Sequence, residues 1–256
     1  MDLIHIFILS IIQGVTEFLP ISSQSHLILT SYFLGLEDQG LGFDIALHFG
    51  SLIAILIYYR KEIKSLFTLS DEGVNYLKLI IIGSIPLPII GLLFIDIVSQ
   101  NMRSIFSIAS MTILFAVILY LADRKKKEVV TTFANISIYT IIFIGLMQTL
   151  AIMPGVSRSG IVITAALLAN FSREDSIKIA FLLSIPAIFM ATVYQSMQLY
   201  EVGNIEILNE HLLGMISSLI FSYITIHLFI STINKISFTP YIIYRLILGI
   251  TLIRFI

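Results

Sequence analysis

Six stretches of the sequence are long and apolar enough to cross a membrane, and they constrain the fold more than any other feature. A helix that spans the hydrocarbon core needs about 20 mostly apolar residues. The candidates are residues about 43–59, 77–98, 104–122, 176–198, 212–233 and 240–256. Only 12% of the 256 residues are charged, about half the share that a soluble domain carries. The sequence therefore predicts an all-α polytopic membrane protein.

Two further apolar segments, residues about 1–35 and 136–170, are interrupted at their centres. The first is broken at Pro20 and the second at Pro154, and a serine-rich stretch follows each proline. Each half is about 10–14 residues long, which is too short to span the membrane. Irregular backbone at membrane depth is tolerated where protein or a water-filled cavity covers it. Both segments are therefore predicted to be re-entrant helical hairpins.

The element order, hairpin and three spans followed by hairpin and three spans, indicates an inverted repeat within one integral membrane domain. The pseudo-repeats are residues about 1–128 and 129–256. Because three is an odd number, the second half must lie upside down relative to the first. The two hairpins then enter from opposite faces, and we expect their tips to meet near the midplane.

The distribution of charge predicts the orientation of the chain. Basic residues concentrate on one predicted face, which by the positive-inside rule is cytoplasmic: Arg60, Lys61, Lys64, Lys78, Arg124, Lys125, Lys126, Lys127, Arg173, Lys178 and Lys235. The opposite face carries Arg103 and Arg254 together with Glu37, Asp38, Glu201, Glu206 and Glu210. The first hairpin then opens outward.

A net charge of -1 gives no reason to expect nucleic acid as a partner, and the absence of cysteine excludes disulfides, thiolate metal sites and a cysteine nucleophile.

The hairpins also hold most of the residues that could carry chemistry. Ionisable groups inside a membrane protein are costly and mark functional sites, and Glu17 and Arg158 lie in different hairpins. Helix starts offer unpaired N–H groups, and an arginine fork fits phosphate oxygens. These features predict a phosphate or diphosphate site at mid-depth. Its candidate residues are Gln13, Glu17, Ser22, Ser23, His26, Gln148, Gly155, Ser157, Arg158, Ser159 and Gly160.

A carboxylate beside a bound phosphate repels it unless the carboxylate holds a metal or acts as a base. Mg²⁺ commonly uses one or two carboxylates together with substrate oxygens, so Glu17 is the candidate metal ligand. Ser23 could be a nucleophile if Glu17 or His26 activated it, and His26 could itself be a nucleophile or a general acid or base. The hairpin serines could instead cap half-helices. Arg245, with Asp44 and Asp96, is expected to snorkel from a span end to the interface.

Two motifs resemble those of the undecaprenyl-diphosphate phosphatase family, also called the bacitracin-resistance protein family. In the first motif, an acidic residue or Gln precedes Glu by four positions and leads into Phe-Leu-Pro-x-Ser-Ser and a nearby His. This chain carries Gln13, Glu17, Phe18, Leu19, Pro20, Ser22, Ser23 and His26 there. The second motif, Pro-Gly-x-Ser-Arg-Ser-Gly, lies at 154–160. Stretches 48–52 and 181–187 also agree, so the resemblance covers essentially the whole chain.

The resemblance implies a hydrolase of the bacterial inner or plasma membrane that converts undecaprenyl diphosphate into the monophosphate and phosphate. That reaction recycles a lipid carrier for cell-wall synthesis, and the family confers bacitracin resistance. A requirement for Mg²⁺ or another divalent cation, such as Ca²⁺, is implied as well. The family's activity-linked residues correspond to Glu17, Ser23, His26 and Arg158. Two departures concern Val162, where the family often has Thr, and Gln24-Ser25, where it has a small pair.

A flippase or transporter of polyprenyl phosphate is the alternative, because inverted repeats with broken helices at mid-depth are a transporter design. The set of Glu17, Ser23 and His26 favours the hydrolase, since transport alone would not need reactive groups. The expected partners are the polyprenyl diphosphate substrate and membrane lipids. The expected site opens to the outer, periplasmic face, and a homodimer is an oligomeric form that the sequence allows.

Overall fold

The computed structural model describes residues 3–34, 40–68, 70–102, 104–124, 131–133, 136–201 and 209–254, and the regular elements in these ranges are all helical. The first half of the chain contains α1 (Leu3–Thr16), α2 (Ser23–Leu34), α3 (Leu41–Tyr58), α4 (Arg60–Ser65), α5 (Asp71–Ser84), α6 (Pro86–Asn101) and α7 (Ile105–Arg124). The second half contains α8 (Ile138–Gln148), a 3-10 helix (Thr149–Ile152), α9 (Arg158–Leu168), α10 (Arg173–Glu201), α11 (Asn209–Ile236) and α12 (Thr239–Ile253). The predicted all-helical fold is confirmed.

Five helical segments in the described ranges meet the length and hydropathy of a membrane span. The predicted span 77–98 lies within one of them, Gly73–Val98, which is divided into α5 and α6 because Pro86 begins a new helix. The sixth predicted span, 240–256, differs from expectation. It forms α12, whose 15 residues fall short of the roughly 17 that crossing requires.

The two interrupted segments form helical hairpins, α1 against α2 and α8 against α9. In both hairpins a serine with left-handed backbone immediately precedes the second helix: Ser22 has φ 75° and Ser157 has φ 71°. Residues other than glycine seldom adopt this conformation. The two hairpins thus share a backbone turn at the serine-rich stretch that follows the proline in each sequence.

The α3 helix packs against both α10 and α11. At Gly50 the backbones of α3 and α11 approach so closely that a Cβ would overlap the carbonyl oxygen of Met215. Serine hydroxyls join the same helices, with Ser51 Oγ 3.1 Å from Ser218 Oγ and 3.0 Å from Ser222 Oγ. Small residues and interhelical hydroxyl bonds are the usual means of helix association in membranes.

Several helix ends meet on one side of the molecule, which we call the basic end for its residues Arg60, Lys61, Lys64, Arg124, Arg173, Lys178 and Lys235. The Lys178 ammonium lies 3.3 Å from the Glu62 carboxylate of α4, and Arg173 pairs with Asp123 of α7 at 2.6 Å. Asn234 of α11 donates to Glu174 at 3.1 Å. The predicted clustering of basic residues is therefore present. Lys125, Lys126, Lys127, Arg103, Glu37, Asp38 and Glu206 lie outside the described residues.

These contacts also give the direction of each span. Helices α3, α7 and α11 run toward the basic end, whereas α10 begins there, and α5 begins there because the Tyr76 hydroxyl accepts a hydrogen bond from Lys178. The order is thus toward, away, toward in the first half, and away, toward in the second. An inverted repeat requires this alternation, and the repeat itself stays a prediction.

Candidate functional site

The tips of the two hairpins meet at an ion pair between Glu17 and Arg158. Glu17 follows the last residue of α1, and Arg158 is the first residue of α9. Arg158 Nη2 donates to Glu17 Oε1 at 2.6 Å, and the side chains are only 14% and 8% exposed. The carboxylate and the guanidinium, 141 residues apart in sequence, therefore share one largely buried pocket, as predicted.

The other carboxylate oxygen of Glu17 is surrounded by polar groups of the first hairpin and α3. Ser23 Oγ donates to Glu17 Oε2 at 2.7 Å, and Gln13 Nε2 donates to the same oxygen at 3.1 Å. His48 Nε2 lies 3.9 Å from Oε2. We call Gln13, Glu17, Ser23, His48 and Arg158 the Glu17 cluster. Proximity to Glu17 assigns His48, the first residue of the stretch 48–52 that agrees with the family, to this cluster.

Local backbone geometry places both ends of the Glu17–Ser23 contact. The amide of Glu17 still bonds to the carbonyl of Gln13, so the carboxylate continues the face of α1 that carries Gln13. The chain then breaks at Pro20, and Ser22 turns it so that Ser23 begins α2. The Ser23 hydroxyl, at the first position of α2, therefore faces the carboxylate of Glu17, which directly follows α1.

The second hairpin holds Arg158 by capping and by anchoring of the guanidinium. The Ser157 hydroxyl accepts from the amide of Gly160 at 3.2 Å, which is a typical N-cap bond. Arg158 Nη1 also donates to the carbonyl of Ala180 at 3.3 Å. Ala180 lies seven residues into α10, about 10 Å from its start. The site is therefore well inside the helical bundle, away from the basic end.

The remaining hairpin hydroxyls bond within or between the two hairpins. Ser159 Oγ donates to the carbonyl of Leu19 at 2.8 Å and so connects the second hairpin to the first. Ser157 and Ser159 hydroxyls lie 3.2 Å apart, and those of Ser22 and Ser25 lie 3.0 Å apart. Gly155 has φ 95°, and a Cβ there would lie 2.5 Å from the carbonyl oxygen of Ile108.

Neither His26 nor Gln148 makes a hydrogen bond to the Glu17 cluster in the described part of the chain. His26 Nδ1 lies 2.7 Å from the carbonyl of Ser22, and its Nε2 lies 2.6 Å from the Tyr244 hydroxyl, against whose ring it stacks. Because a carbonyl only accepts, Nδ1 carries the proton. Gln148 is buried, and neither polar atom of its amide has a hydrogen-bond partner within the ranges that the structure describes.

Arg245 corrects an expectation from the sequence. It is fully buried in the middle of α12 rather than directed to the interface. Its guanidinium donates to the carbonyls of Pro20, Gly155 and Val156 at 3.2, 2.8 and 3.1 Å. Its position about 9 Å from the start and about 12 Å from the end of α12 is consistent with burial, but its partners are backbone atoms that the sequence does not mark.

The Glu17 cluster offers oxygen atoms but no preformed metal cage. Among the described residues, no group of three or more histidine, aspartate or glutamate side chains lies close enough together to hold a metal ion. However, Gln13 Oε1 is buried and has no hydrogen-bond partner among the described residues. This oxygen, the Glu17 carboxylate and the Ser23 hydroxyl are the kind of oxygen donors that Mg²⁺ and Ca²⁺ prefer. These residues fit a divalent cation completed by substrate oxygens.

The surroundings of the cluster differ on its two sides. Toward the basic end, Phe18 packs edge-on against Phe181 with centroids 5.2 Å apart, and Phe181 contacts Tyr59 at 6.2 Å. All three rings are buried. On the other side, an apolar groove of about 560 Å³ lies along the second half of α10 beside Phe49, the neighbour of His48. Among the described residues, buried aromatic rings therefore lie on the side of the cluster that faces the basic end.

Comparison with known proteins shows similarity along nearly the whole chain. Residues 6–251 match the family described as bacitracin resistance protein BacA. An undecaprenyl-diphosphatase of Saccharophagus degradans is 43% identical over 97% of this chain and 96% of its own length. Undecaprenyl-diphosphatase 1 of Pseudoalteromonas translucida is 41% identical over 100% and 99%, and an undecaprenyl-diphosphatase of Teredinibacter turnerae is 43% identical over 98% of both chains. The apolar helices and these similarities identify a multi-pass membrane protein, and the chain belongs to the bacitracin resistance protein BacA family.

Proposed function

We propose that this protein is an undecaprenyl-diphosphatase, which hydrolyses the lipid diphosphate to the monophosphate and phosphate. The observation that carries the proposal is the meeting of Glu17, Ser23 and Arg158 at the junction of the hairpins, at 2.6 and 2.7 Å. A guanidinium suits a diphosphate, and a carboxylate next to a hydroxyl suits a reaction at phosphorus. The names of its relatives give the same activity.

In the proposed mechanism, Arg158 exchanges one anionic partner for another. Without substrate its guanidinium pairs with Glu17, and in the complex it binds oxygens of the terminal phosphate. The hairpin backbone at Gly155, Ser157 and Gly160 and the hydroxyls of Ser22 and Ser159 are the other proposed diphosphate-binding groups. Release from Arg158 leaves the Glu17 carboxylate, which is already hydrogen-bonded to Ser23, to act as the base for that hydroxyl.

Ser23 is the proposed nucleophile, with Glu17 as its base. The Ser23 proton moves to Glu17 as Oγ forms a bond to the terminal phosphorus, and the bond from that phosphorus to the bridging oxygen breaks. Polyprenyl monophosphate leaves with the proton that Glu17 took from Ser23, and a phosphoserine remains. The Glu17 carboxylate then takes a proton from water as the water oxygen bonds to the phosphorus of the phosphoserine. The bond from that phosphorus to Ser23 Oγ breaks, Glu17 returns the proton to Oγ, and phosphate leaves. A nucleophile within hydrogen-bond reach of a base that is itself held in place is the usual signature of such activation.

We also propose that Gln13, through its buried Oε1, and Glu17, through the carboxylate oxygen that Arg158 releases, would hold Mg²⁺ or another divalent cation, with Ca²⁺ as the next candidate. The other oxygen of Glu17 stays hydrogen-bonded to Ser23. When bound, such an ion neutralises charge that develops on the phosphate oxygens. Gln13 then has two functions, because its Nε2 also orients Glu17. Loss of phosphate release in EDTA and its recovery with Mg²⁺ are the expected results.

The proposed location is the bacterial inner or plasma membrane, with the site open to the outer, periplasmic face. The basic end is then cytoplasmic, and the Phe18, Phe181 and Tyr59 rings separate the site from that side. The groove beside Phe49 and along α10 is the proposed position of the first part of the polyprenyl tail. Closure toward the basic end also favours hydrolysis over a flippase, which would need access from both sides.

A homodimer is part of the proposal, and the available surface is the Gly73–Val98 segment. Only 11% of that span is buried, against 39% or more in the other four candidate spans. A second copy packed there would cover its apolar side chains. Light scattering of the purified protein in detergent measures the mass that decides this.

The proposed function is tested by phosphate release from undecaprenyl or farnesyl diphosphate in detergent. We expect Glu17→Ala and Arg158→Ala to lose nearly all activity, and Arg60→Ala, which changes an exposed arginine at the basic end, to retain it. Full activity in either site variant would reject the assignment. Movement of the lipid between leaflets without hydrolysis by the intact chain would favour the flippase instead.

A further inference from the structure

We propose that Arg245 is a positioning residue that clamps the tips of both hairpins together, an inference that rests on the proposed function for its catalytic consequence. Its guanidinium is the point at which α12, the last helix, contacts both broken segments. One donor reaches Pro20 of the first hairpin, and another reaches Gly155 and Val156 of the second. No residue named in the mechanism makes these three contacts.

The clamped carbonyls lie next to the reacting residues in sequence. Pro20 lies between Glu17 and Ser23, three residues from each, and Val156 lies two residues before Arg158. A guanidinium presents several N–H groups in one rigid plane, so the distance between Pro20 and Gly155 carbonyls is set by its shape. The separation of Glu17 from Arg158 follows, because both side chains project from the clamped segments.

The electrostatics of Arg245 also point to positioning rather than to simple packing. In the described part of the chain its partners are backbone carbonyls, with no acidic side chain among them, and its Nε has no partner. Burial of a charged group without a counter-ion is costly. An apolar residue of similar volume would fill the same space, but it would leave the three carbonyls without donors and the two tips without a common support.

Two other roles of Arg245 predict different results. If only its positive charge mattered, through attraction to the diphosphate, then Arg245→Lys would preserve function. If it served only general stability, then substitutions would loosen the whole bundle. A clamp requires the planar fork, and its loss should loosen two short segments at once.

Hydrogen–deuterium exchange of the whole protein in detergent tests the clamp independently of activity. The variants are Arg245→Lys and Arg245→Gln, and the matched controls are Arg254→Lys and Arg254→Gln at the exposed end of α12. We expect faster exchange in peptides covering both 17–22 and 153–157 for the two Arg245 variants, with α11 and the controls unchanged. A change at only one tip, at neither tip or throughout the chain would overturn the proposal, as would failure of both variants to fold.

Phosphate release gives the catalytic consequence. Since misplacement of reacting groups by about 1 Å can cost roughly 10²-fold in rate, we expect both Arg245 variants to lose at least tenfold in kcat, with KM changed far less. Retention of kcat in Arg245→Lys would show that charge alone matters and would contradict the clamp. If the unmodified protein releases no phosphate, the proposed function fails, whereas the exchange experiment still decides the clamp.

Discussion

Ser23 and His26 lie one helical turn apart on α2, yet their partners differ. The Ser23 hydroxyl is directed at the Glu17 carboxylate, whereas both ring nitrogens of His26 are engaged by Ser22 and Tyr244. We therefore predict that Ser23, rather than His26, carries the transferred phosphate. Rapid quenching with substrate labelled on the terminal phosphate should trap an acid-stable phosphoserine.

Variants at Ser23 and elsewhere sharpen this prediction. Ser23→Ala should abolish the trapped species and lower kcat by roughly 10²-fold or more, since it removes the covalent step. Ser176→Ala removes a buried hydroxyl that bonds only to the carbonyl of Ser172 in the described structure, and it should leave both readouts unchanged. An acid-labile, base-stable adduct would instead identify His26 as the nucleophile.

Single residues differ in how readily the sequence predicts them. Glu17 and Arg158 could be predicted because a charge inside an apolar hairpin needs a partner. Arg245 could not, because its placement depends on how α12 packs against two loops more than 85 residues away in sequence. The contact of its neighbour Tyr244 with His26 likewise could not be predicted from the sequence. A contact with backbone atoms is especially hard to predict, because no particular residue type marks the acceptor.

Among the helices, the close contact between α3 and α11 at Gly50 lies next to the site, because His48 of the Glu17 cluster is two residues before Gly50. We predict that Gly50→Ala destabilises the protein by about 1–3 kcal/mol, the usual range for overpacking, since its Cβ would overlap the Met215 carbonyl. Thermal unfolding in detergent, followed by far-UV circular dichroism, measures the change.

Gly91 in α6 provides the matched control, because a Cβ at that position would meet no described atom of the chain within 4 Å. Alanine is favoured over glycine inside a helix by roughly 0.5–1 kcal/mol, so Gly91→Ala should keep or slightly raise the melting temperature. Equal melting temperatures for the two variants would show that the α3–α11 contact adjusts without cost.

Element boundaries follow from sequence where proline or serine punctuates the chain. Pro20 and Pro154 correctly indicated the hairpin breaks, and the serine before each second half-helix acts as its turn. The apolar composition of the predicted span 77–98 suggested one continuous helix. The structure divides this span at Pro86, where α6 begins. The predicted span 240–256 extends beyond α12, which ends at Ile253. An uninterrupted apolar run in the sequence does not show at which residue a helix ends.

For the whole molecule, the directions of the spans relative to the basic end join the sequence prediction to the structure. Lys64 follows α3 in the first half, and Lys235 ends α11 in the second half. Ion pairs and hydrogen bonds from α10 bring both regions to the same end. The end of α6 at Asn101 lies on the other side, since α5 begins at the basic end. The side of the membrane that the basic end faces therefore determines the orientation of the whole chain.

The chain has no cysteine, so single cysteines introduced at exposed positions report that side without background. In spheroplasts of an expressing bacterium, a membrane-impermeant maleimide should label Asn101→Cys directly. Lys64→Cys and Lys235→Cys should react only after the membrane is opened, because a surplus of lysine and arginine keeps a loop in the cytoplasm. Labelling of Lys64→Cys from outside would invert the proposed orientation and would place the aromatic closure of Phe18 and Phe181 between the site and the outer face. Labelling of Lys64→Cys and Lys235→Cys from opposite sides would contradict the inverted repeat itself.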